Sequence, residues 1–320
     1  MENQLKKLTF HFLFSVINYL SGKFKAMLEN ELETAIMLAR KAGEKILEFY
    51  ALEIVVEEKL GLDNFTEPVT IADKTASKII VEGLSEIFPD DAILSEEEAD
   101  AFETRLAKDR VWIIDPIDGT WGFIKKDGDF GVQIGLTENG AVVLGVVYLP
   151  LHDHLYFAAK NQGAFLIENG QTSAREQGLS ETSKRLKVSD KTNFTEMNLA
   201  SSRNHRSPKM HQIIEDFGFR QEIQRGSVGL KVGLITQQIA DLYIHLSPRT
   251  KFWDTCAPQI ILEEAGGKFT DLFGFPFVYN LKDVQNHNGI LSSNGAAHEE
   301  VLLRLKPLLN EFGRLRVLPK

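Results

Sequence analysis

Residues 111–122 read Val-Trp-Ile-Ile-Asp-Pro-Ile-Asp-Gly-Thr-Trp-Gly, and this stretch decides how the rest of the chain is read. Its apolar start, Val111 to Ile114, predicts a buried strand that delivers the carboxylate of Asp115 at its end. Pro116 breaks the strand and holds Asp115 extended, because the proline ring disfavours the helical region for the residue before it. Asp118-Gly119 supplies a tight turn, so both carboxylates can converge on one point. The backbone N–H groups after the turn are left to seat an anion. Two carboxylates beside an anion seat describe a site for a divalent cation and a phosphate. An EF-hand is excluded, since its downstream ligands are missing.

Outward from this stretch the chain alternates between two periodicities. Glu31 to Tyr50 carries Ala35, Ile36, Leu38, Ala39, Ala42, Ile46 and Phe49 at helical spacing. A second helix is predicted from about Ala72 to Phe88, with Ala76, Ile79, Ile80, Leu84 and Ile87 on one face and Asp73 in its first turn. Glu53 to Glu58 and Ala92 to Ser95 read as short strands, the latter ending on Glu96-Glu97-Glu98. Phe130 to Thr137 and Ala141 to Tyr148 flank Glu138-Asn139-Gly140, a hairpin signal. His154 to Ala159 and Ala164 to Glu168 continue as antiparallel strands, and Asn169 to Lys184 reads as a polar loop.

Beyond that loop, strands are predicted at Leu199 to Ser202, Asp241 to His245, around Lys268 to Thr270, and at Ile290 to Ser293. Helices are predicted at Pro208 to Phe217, Val228 to Gln237, Thr255 to Ala265 and Ala296 to Leu309. The alternation implies a layered α/β sandwich. We divide it into an N-terminal extension over 1–26, an α+β subdomain over 27–185 and an α/β subdomain over 186–320.

Composition narrows the partners. The 320 residues, 43% hydrophobic and 25% charged, suit a soluble globular protein with a full core. A net charge of −9 argues against coating a nucleic-acid polymer but not against a small anion held locally. Cys256 is the single cysteine, which excludes an internal disulfide and suits a reducing cytoplasm. Leu8 to Leu20 lacks Lys, Arg, Asp and Glu but falls short of the ~18 residues of a membrane span. It reads as a packed or frayed extension, or as an over-long start with Met27 the true first residue. A weak interfacial anchor is the alternative.

The chemistry rests on convergence. Glu96 ends one strand, Asp115 and Asp118 the next, and Asp254 follows an aromatic residue at a helix start. Brought together, they form a cluster that repels itself strongly without cations. Each outer member also has a bland reading. Glu96 belongs to an acidic run through Asp100, and Asp254 suits the N-cap of a helix with Pro258 in its first turn. The Asp-Pro-x-Asp-Gly-Thr string has no such structural explanation.

Four segments together resemble the inositol-monophosphatase-like phosphatases: Asp115 to Thr120, Trp253 to Gly267, the Ser95-Glu-Glu that ends a short strand, and Val69-Thr-Ile-Ala-Asp73. The resemblance covers almost everything after Met27. It implies an αβαβα layered fold and a phosphatase dependent on two or more Mg²⁺ ions and sensitive to Li⁺. By motif position, Glu96, Asp115, Asp118 and Asp254 would be carboxylate metal ligands and Ile117 would contribute its backbone carbonyl. Thr120, with Asp73, would orient and deprotonate the attacking water, and the N–H groups of Gly119 and Thr120 would bind the phosphate. One metal would activate that water and another would stabilise the leaving oxygen.

Within the family, Trp253 to Pro258, the Gly-Gly-Lys-x-Thr-Asp run ending at Asp271, Asp241-Leu-Tyr and Ser247-Pro look most like 3′(2′),5′-bisphosphate nucleotidases. Ser202, Arg203 and His205 fall where that branch contacts the nucleotide. Lys231, after Gly226 and Ser227, falls where it keeps a lysine for the second phosphate. The departure is Trp121-Gly122-Phe123, where that branch usually has Lys-Glu followed by an aromatic residue. Trp121 is expected in the core rather than as a stacking surface for a base, and Cys256 as a small buried side chain. Arg249 and Lys251 either add positive charge near the substrate or lie on the surface.

The expected activity is therefore Mg²⁺-dependent removal of the 3′-phosphate of adenosine 3′,5′-bisphosphate. Its rival is an inositol monophosphatase or sugar-phosphate phosphatase of the same fold. A non-catalytic ligand-binding protein on this scaffold would be expected to lack one of the carboxylates or Thr120, and none is missing. The expected partner is a small phosphorylated substrate, in a cytoplasmic protein with no stable membrane span and room for a homodimer.

Overall fold

Five layers stack as helix, sheet, helix, sheet and helix in a computed structural model that describes residues 28–53, 55–60, 66–168, 183–203 and 207–318. The reading of Leu8 to Leu20, most of the predicted loop after Asn169, and His205 lie outside the described residues. Among the described residues no helix is long and apolar enough to cross a membrane.

The first layer holds α1, helical over 28–50, and α2, Ile71–Ile87. A small hairpin precedes α2: β1, Val56–Leu60, pairs antiparallel with β2, Thr66–Thr70. The seven-stranded sheet follows the chain in strict order. It runs β3 (Ala92–Ser95), β4 (Arg110–Asp118), β5 (Gly131–Glu138), β6 (Ala141–Leu149), β7 (His154–Ala159), β8 (Gly163–Glu168) and β9 (Lys184–Arg185). Two short helices punctuate it, α3 (Phe102–Leu106) and α4 (Thr120–Ile124).

The second sheet has the order β11-β10-β12-β14-β13. Its strands are β10 (Asn198–Ser202), β11 (Gln221–Arg225), β12 (Leu242–His245), β13 (Lys268–Thr270) and β14 (Ile290–Ser293). Between the sheets lie α6 (Val228–Thr236) and α7 (Phe252–Glu264), and outside the second sheet lie α5 (Pro208–Phe217) and α8 (His298–Glu311).

Alternation within β4 shows why the layers form. Trp112 and Ile114 pack with Ile80 and Leu84 of α2 on one face. Val111 and Ile113 join Cys256, Ile260 and Ile261 of α7 on the other. A strand covered on both faces must be apolar throughout, as Val111 to Ile114 is. Helix α7 is buried on nearly all sides from Phe252 to Leu262, as a helix enclosed between two sheets has to be. The outer helices close a third cluster, with Met210 and Ile213 against Leu199 and Leu242, and Val301 and Leu305 alongside. The hairpin after β5 turns on Asn139 and Gly140 at φ 51° and 78°, as a two-residue turn between twisted strands requires.

The structure revises several boundaries. Pro116 does not end the strand: β4 continues to Asp118, with its register against β5 shifted between Asp115 and Asp118. A proline without an N–H is tolerated where a bulge already interrupts the ladder. Helix α7 starts at Phe252, so Asp254 is its third residue rather than its cap, and Pro258 lies inside the helix rather than in its first turn. The first strand covers Val56–Leu60 instead of Glu53 to Glu58. Strand β11 escapes a periodicity reading because Gln-Glu-Ile-Gln-Arg is nearly all polar; parallel pairing with β10 at the sheet edge makes it a strand.

Candidate active site

Both sheets direct their motif-bearing ends into one open cleft. The end of β4, the start of α4, the entry to α6 and the segment from β12 into α7 line it, and the β1–β2 hairpin adds Thr66, Glu67 and Pro68.

The β4 bulge sets the first pair of carboxylates, because it lets Asp115 and Asp118 turn to the same side. Asp254 arrives from the first turn of α7, where its Oδ2 accepts from Lys251 N at 2.7 Å. Oxygen atoms of Asp115, Asp118 and Asp254 lie within 4.8 Å of one another. Asp118 is held by Ser227 Oγ at 2.6 Å and Gly229 N at 2.9 Å, both donating to Oδ2. Asp115 Oδ1 is buried and receives no hydrogen bond.

Burial, reinforced by Glu96, Asp118 and Asp254, holds the Asp115 carboxyl well above the usual carboxylate range. Burial and then Asp118 push Asp254 up to about 8. Asp118 is also raised by burial, against the pull of Lys231. An unpartnered buried oxygen among like charges, with oxygen donors throughout, fits a hard divalent cation such as Mg²⁺.

Glu96 stands apart from this trio. Its Oε1 accepts from Lys59 Nζ at 2.9 Å, and the same ammonium reaches Glu97 at 2.5 Å. Glu96 lines the cleft and is largely covered, so the reading of a solvated acidic run fails for it. Ile117 lines the same cleft, and its carbonyl accepts from Thr120 Oγ1 at 3.2 Å.

Thr120 Oγ1 also faces Asp73 Oδ1 at 3.4 Å. The other oxygen of Asp73 closes a capping box at the start of α2, accepting from Thr70 N at 2.8 Å and Thr70 Oγ1 at 2.6 Å. Burial pushes this carboxyl up to about 6, with the Thr70 hydrogen bonds opposing. Asp73 thus caps a helix and faces a hydroxyl at the cleft.

Gly119 makes the turn at φ 93°, and a Cβ there would meet Asp129 O at 2.4 Å. Gly119→Ala is therefore expected to lose at least ~2 kcal/mol of stability, through a strained backbone and a backbone clash together, measured by denaturant unfolding. A loss below ~0.5 kcal/mol would contradict the close packing of this turn.

The opposite wall centres on Ser227, a non-glycine residue at φ 42°. Its side chain donates to Asp118 and caps α6 by accepting from Leu230 N at 3.0 Å. Lys231 is buried rather than a solvated helix residue. Its Nζ donates to Gly226 O and Ser227 O, both at 2.6 Å, and burial lowers it to about 8. Ser202 and Gly226 line the cleft as well.

Arg203 does not line the cleft: it is paired with Asp127 and with Asp129, the latter at 2.7 Å. Trp121 departs from the expected core position, being 48% exposed at the cleft mouth with Lys125 Nζ 5.3 Å from its ring centroid. Arg249 and Lys251 line the cleft, and Cys256 is buried as expected.

Three residues escaped the reading of the sequence. Asp129, fully buried, accepts from Gly226 N at 2.8 Å and Arg225 Nη1 at 3.0 Å as well as from Arg203. It thereby ties the turn at Gly119 to the Ser227 wall. In sequence it reads as part of a turn, Asp127-Gly-Asp129. Lys59 and Glu67 belong to no motif. No local signal marks their long-range partners.

The sequence profile of the inositol monophosphatase family matches residues 27–307. Over 252 residues the chain is 35% identical to the 3′(2′),5′-bisphosphate nucleotidase CysQ of Salmonella typhimurium, covering 79% of this chain and 95% of that protein. It is 31% identical over 286 residues to the fructose-1,6-bisphosphatase/inositol-1-monophosphatase of Thermotoga maritima, covering 89% of this chain and 99% of that protein. Among solved structures, CysQ from Bacteroides thetaiotaomicron, a bacterial member of the same family, matches with a TM-score of 0.69 at 32% identity. That match spans 83% of this chain and 97% of that one.

Proposed function

The chain belongs to the inositol monophosphatase family of phosphoric monoester hydrolases, and on that premise we propose that it removes the 3′-phosphate of adenosine 3′,5′-bisphosphate with Mg²⁺ as cofactor. The observation that carries the reading is the trio Asp115, Asp118 and Asp254, with an unpartnered buried oxygen, beside the Thr120–Asp73 pair. Asp115, Asp118 and Asp254, together with Glu96 and the carbonyl of Ile117, would hold the cations. Bound Mg²⁺ supplies charge neutralisation at the phosphoryl oxygens and lowers the pKa of water.

The chain's own groups do the positioning. Thr120 Oγ1 hydrogen-bonds the attacking water and passes a proton toward Asp73, whose raised pKa suits it to accept one near neutrality. The N–H groups of Gly119 and Thr120 hold the phosphate oxygens at the start of α4. Water attacks phosphorus in line, the bond to the 3′ oxygen breaks, and that oxygen takes a proton from solvent water to leave as the 3′ hydroxyl of adenosine 5′-monophosphate, with inorganic phosphate as the other product. Support for a substrate bearing a second phosphate comes from the buried ammonium of Lys231 in the cleft wall and from the nucleotidase relative.

A second reading, an inositol or sugar phosphatase, is favoured by exposed Trp121 and buried Gly122 in place of Lys-Glu and by the Thermotoga relative. Phosphate release from adenosine 3′,5′-bisphosphate, inositol 1-phosphate and fructose 1,6-bisphosphate, with Mg²⁺ and with Mg²⁺ plus Li⁺, decides between them. The nucleotide is expected to be preferred and Li⁺ to inhibit. Equal or greater activity on inositol 1-phosphate would overturn the nucleotidase assignment.

A further inference from the structure

Lys251 is an ammonium-bearing residue in the cleft wall that is only 3% exposed. Among the described residues its ion pair is with Glu67, Oε1 to Nζ, at 2.6 Å. The two come from distant parts of the chain. Glu67 is on β2 of the hairpin, and Lys251 is the residue before α7, its backbone N–H fixed by Asp254 and its carbonyl by Asn286 Nδ2 at 2.8 Å. The lysine is thus anchored at its backbone, whereas the Glu67 side chain is 21% exposed and can turn to solvent by a rotamer change.

A covered ammonium needs an anion beside it, because an unpaired buried charge is costly. Here the chain supplies that anion itself, inside the cleft where a phosphorylated substrate is proposed to bind. A carboxylate and a phosphate oxygen make the same charge-assisted hydrogen bond to an ammonium. We propose that Glu67 is an internal stand-in for a second anionic group of the substrate. On binding, the phosphate distal to the scissile bond displaces the Glu67 carboxylate from Lys251. The pair then sets specificity: a substrate with a distal phosphate recovers the lysine contact, and one without it leaves Glu67 in place. This rests on the reading of the chain as a phosphatase acting on a bisphosphate.

The test compares adenosine 3′,5′-bisphosphate with adenosine 3′-monophosphate, which differ only in the distal phosphate, in the parent and in Glu67→Gln, Glu67→Asp, Lys251→Met and Glu67→Gln/Lys251→Met. The readout is the ratio of kcat/KM for the two substrates. Removing the competing carboxylate in Glu67→Gln is expected to raise the ratio about fivefold, mostly through KM for the bisphosphate. Glu67→Asp, which shortens the side chain by one methylene but keeps the charge, is expected to raise it less. Lys251→Met is expected to lower the ratio about tenfold, and Glu67→Gln to have no further effect on it in that background.

A merely structural tie would move both substrates together and leave the ratio flat, and that result overturns the proposal. A parent enzyme that prefers the bisphosphate, with ratios unmoved by the variants, leaves the nucleotidase reading standing and removes the Glu67 role alone. A parent with no preference for the bisphosphate removes both.

Discussion

Asp118→Asn is expected to lower kcat/KM by about 10³- to 10⁴-fold while the protein still melts cooperatively within a few degrees of the parent. The size follows from losing one charge of a cation site, which costs roughly 4–5.5 kcal/mol of transition-state stabilisation at tenfold per 1.36 kcal/mol. The fold survives because an asparagine Oδ1 can still accept from Ser227 Oγ and Gly229 N, the two donors that hold this side chain. Two electrostatic effects on the cation-free protein oppose each other. Neutral Asn relieves the repulsion that Asp118 exerts on Asp115 and Asp254, and it also removes a counter-charge from buried Lys231.

Turnover with and without Mg²⁺, circular dichroism and thermal melts check this together. The variant should also lose most of the rise in Tm that Mg²⁺ gives the parent, since a ligand stabilises a protein only as far as it binds the folded state. Full activity in the variant would refute the assignment of Asp118 to a metal.

In the absence of divalent cations, Tm is expected to fall as pH rises from about 6.5 to 8, and Mg²⁺ to raise Tm more at pH 8 than at pH 6.5. The sign comes from carboxyls whose folded pKa lies above the unfolded value of about 4. Such groups contribute stability that is present below the unfolded pKa and is lost as pH rises toward the folded one. Glu97, pushed up to about 7 by burial and Glu96, and Asp254, up to about 8, titrate in this window, and burial holds Asp115 well above its usual range as well.

Two groups of opposite sign set the limits of that window. His298, pushed down to about 4 by burial, adds stability with rising pH only below its unfolded value of about 6.5. Lys231, lowered to about 8, does so only above that value. Each unit of carboxyl shift passed through removes ~1.4 kcal/mol, or roughly 2 °C in Tm for a chain of this size. Cations bind the deprotonated cluster, so the stabilisation by Mg²⁺ grows as the protons leave. A cation-free Tm that is flat or rising between pH 6.5 and 8 would overturn this account of the cluster.

The features legible in the sequence alone are those fixed by backbone sterics and by local apolar periodicity. The run from Val111 to Ile114 is apolar without interruption, so it had to be a strand covered on both faces, and α2 and α7 cover it. Asn139-Gly140 had to turn a hairpin. Asp-Pro-x-Asp-Gly-Thr placed two carboxylates and a turn within six residues, and the family motifs then indicated the layered fold. Even the misread details are local. Pro116 signalled an interruption, and only pairing with β5 made it a bulge instead of an end.

Tertiary structure alone decided which side chains meet. Asp254 joins Asp115 and Asp118 because α7 is enclosed between the sheets with its first turn at the cleft. Glu96 turns to Lys59, Arg203 to Asp127 and Asp129, and Lys251 to Glu67, in each case across long stretches of chain. Lys231 is buried where its helix could as well have shown it to water, and Trp121 is exposed where its apolar ring suggested the core. The physical reason is the range of the forces involved. Steric limits on φ and ψ act between neighbours in sequence, whereas the desolvation and pairing of charges depend on whatever the completed fold brings within a few ångströms.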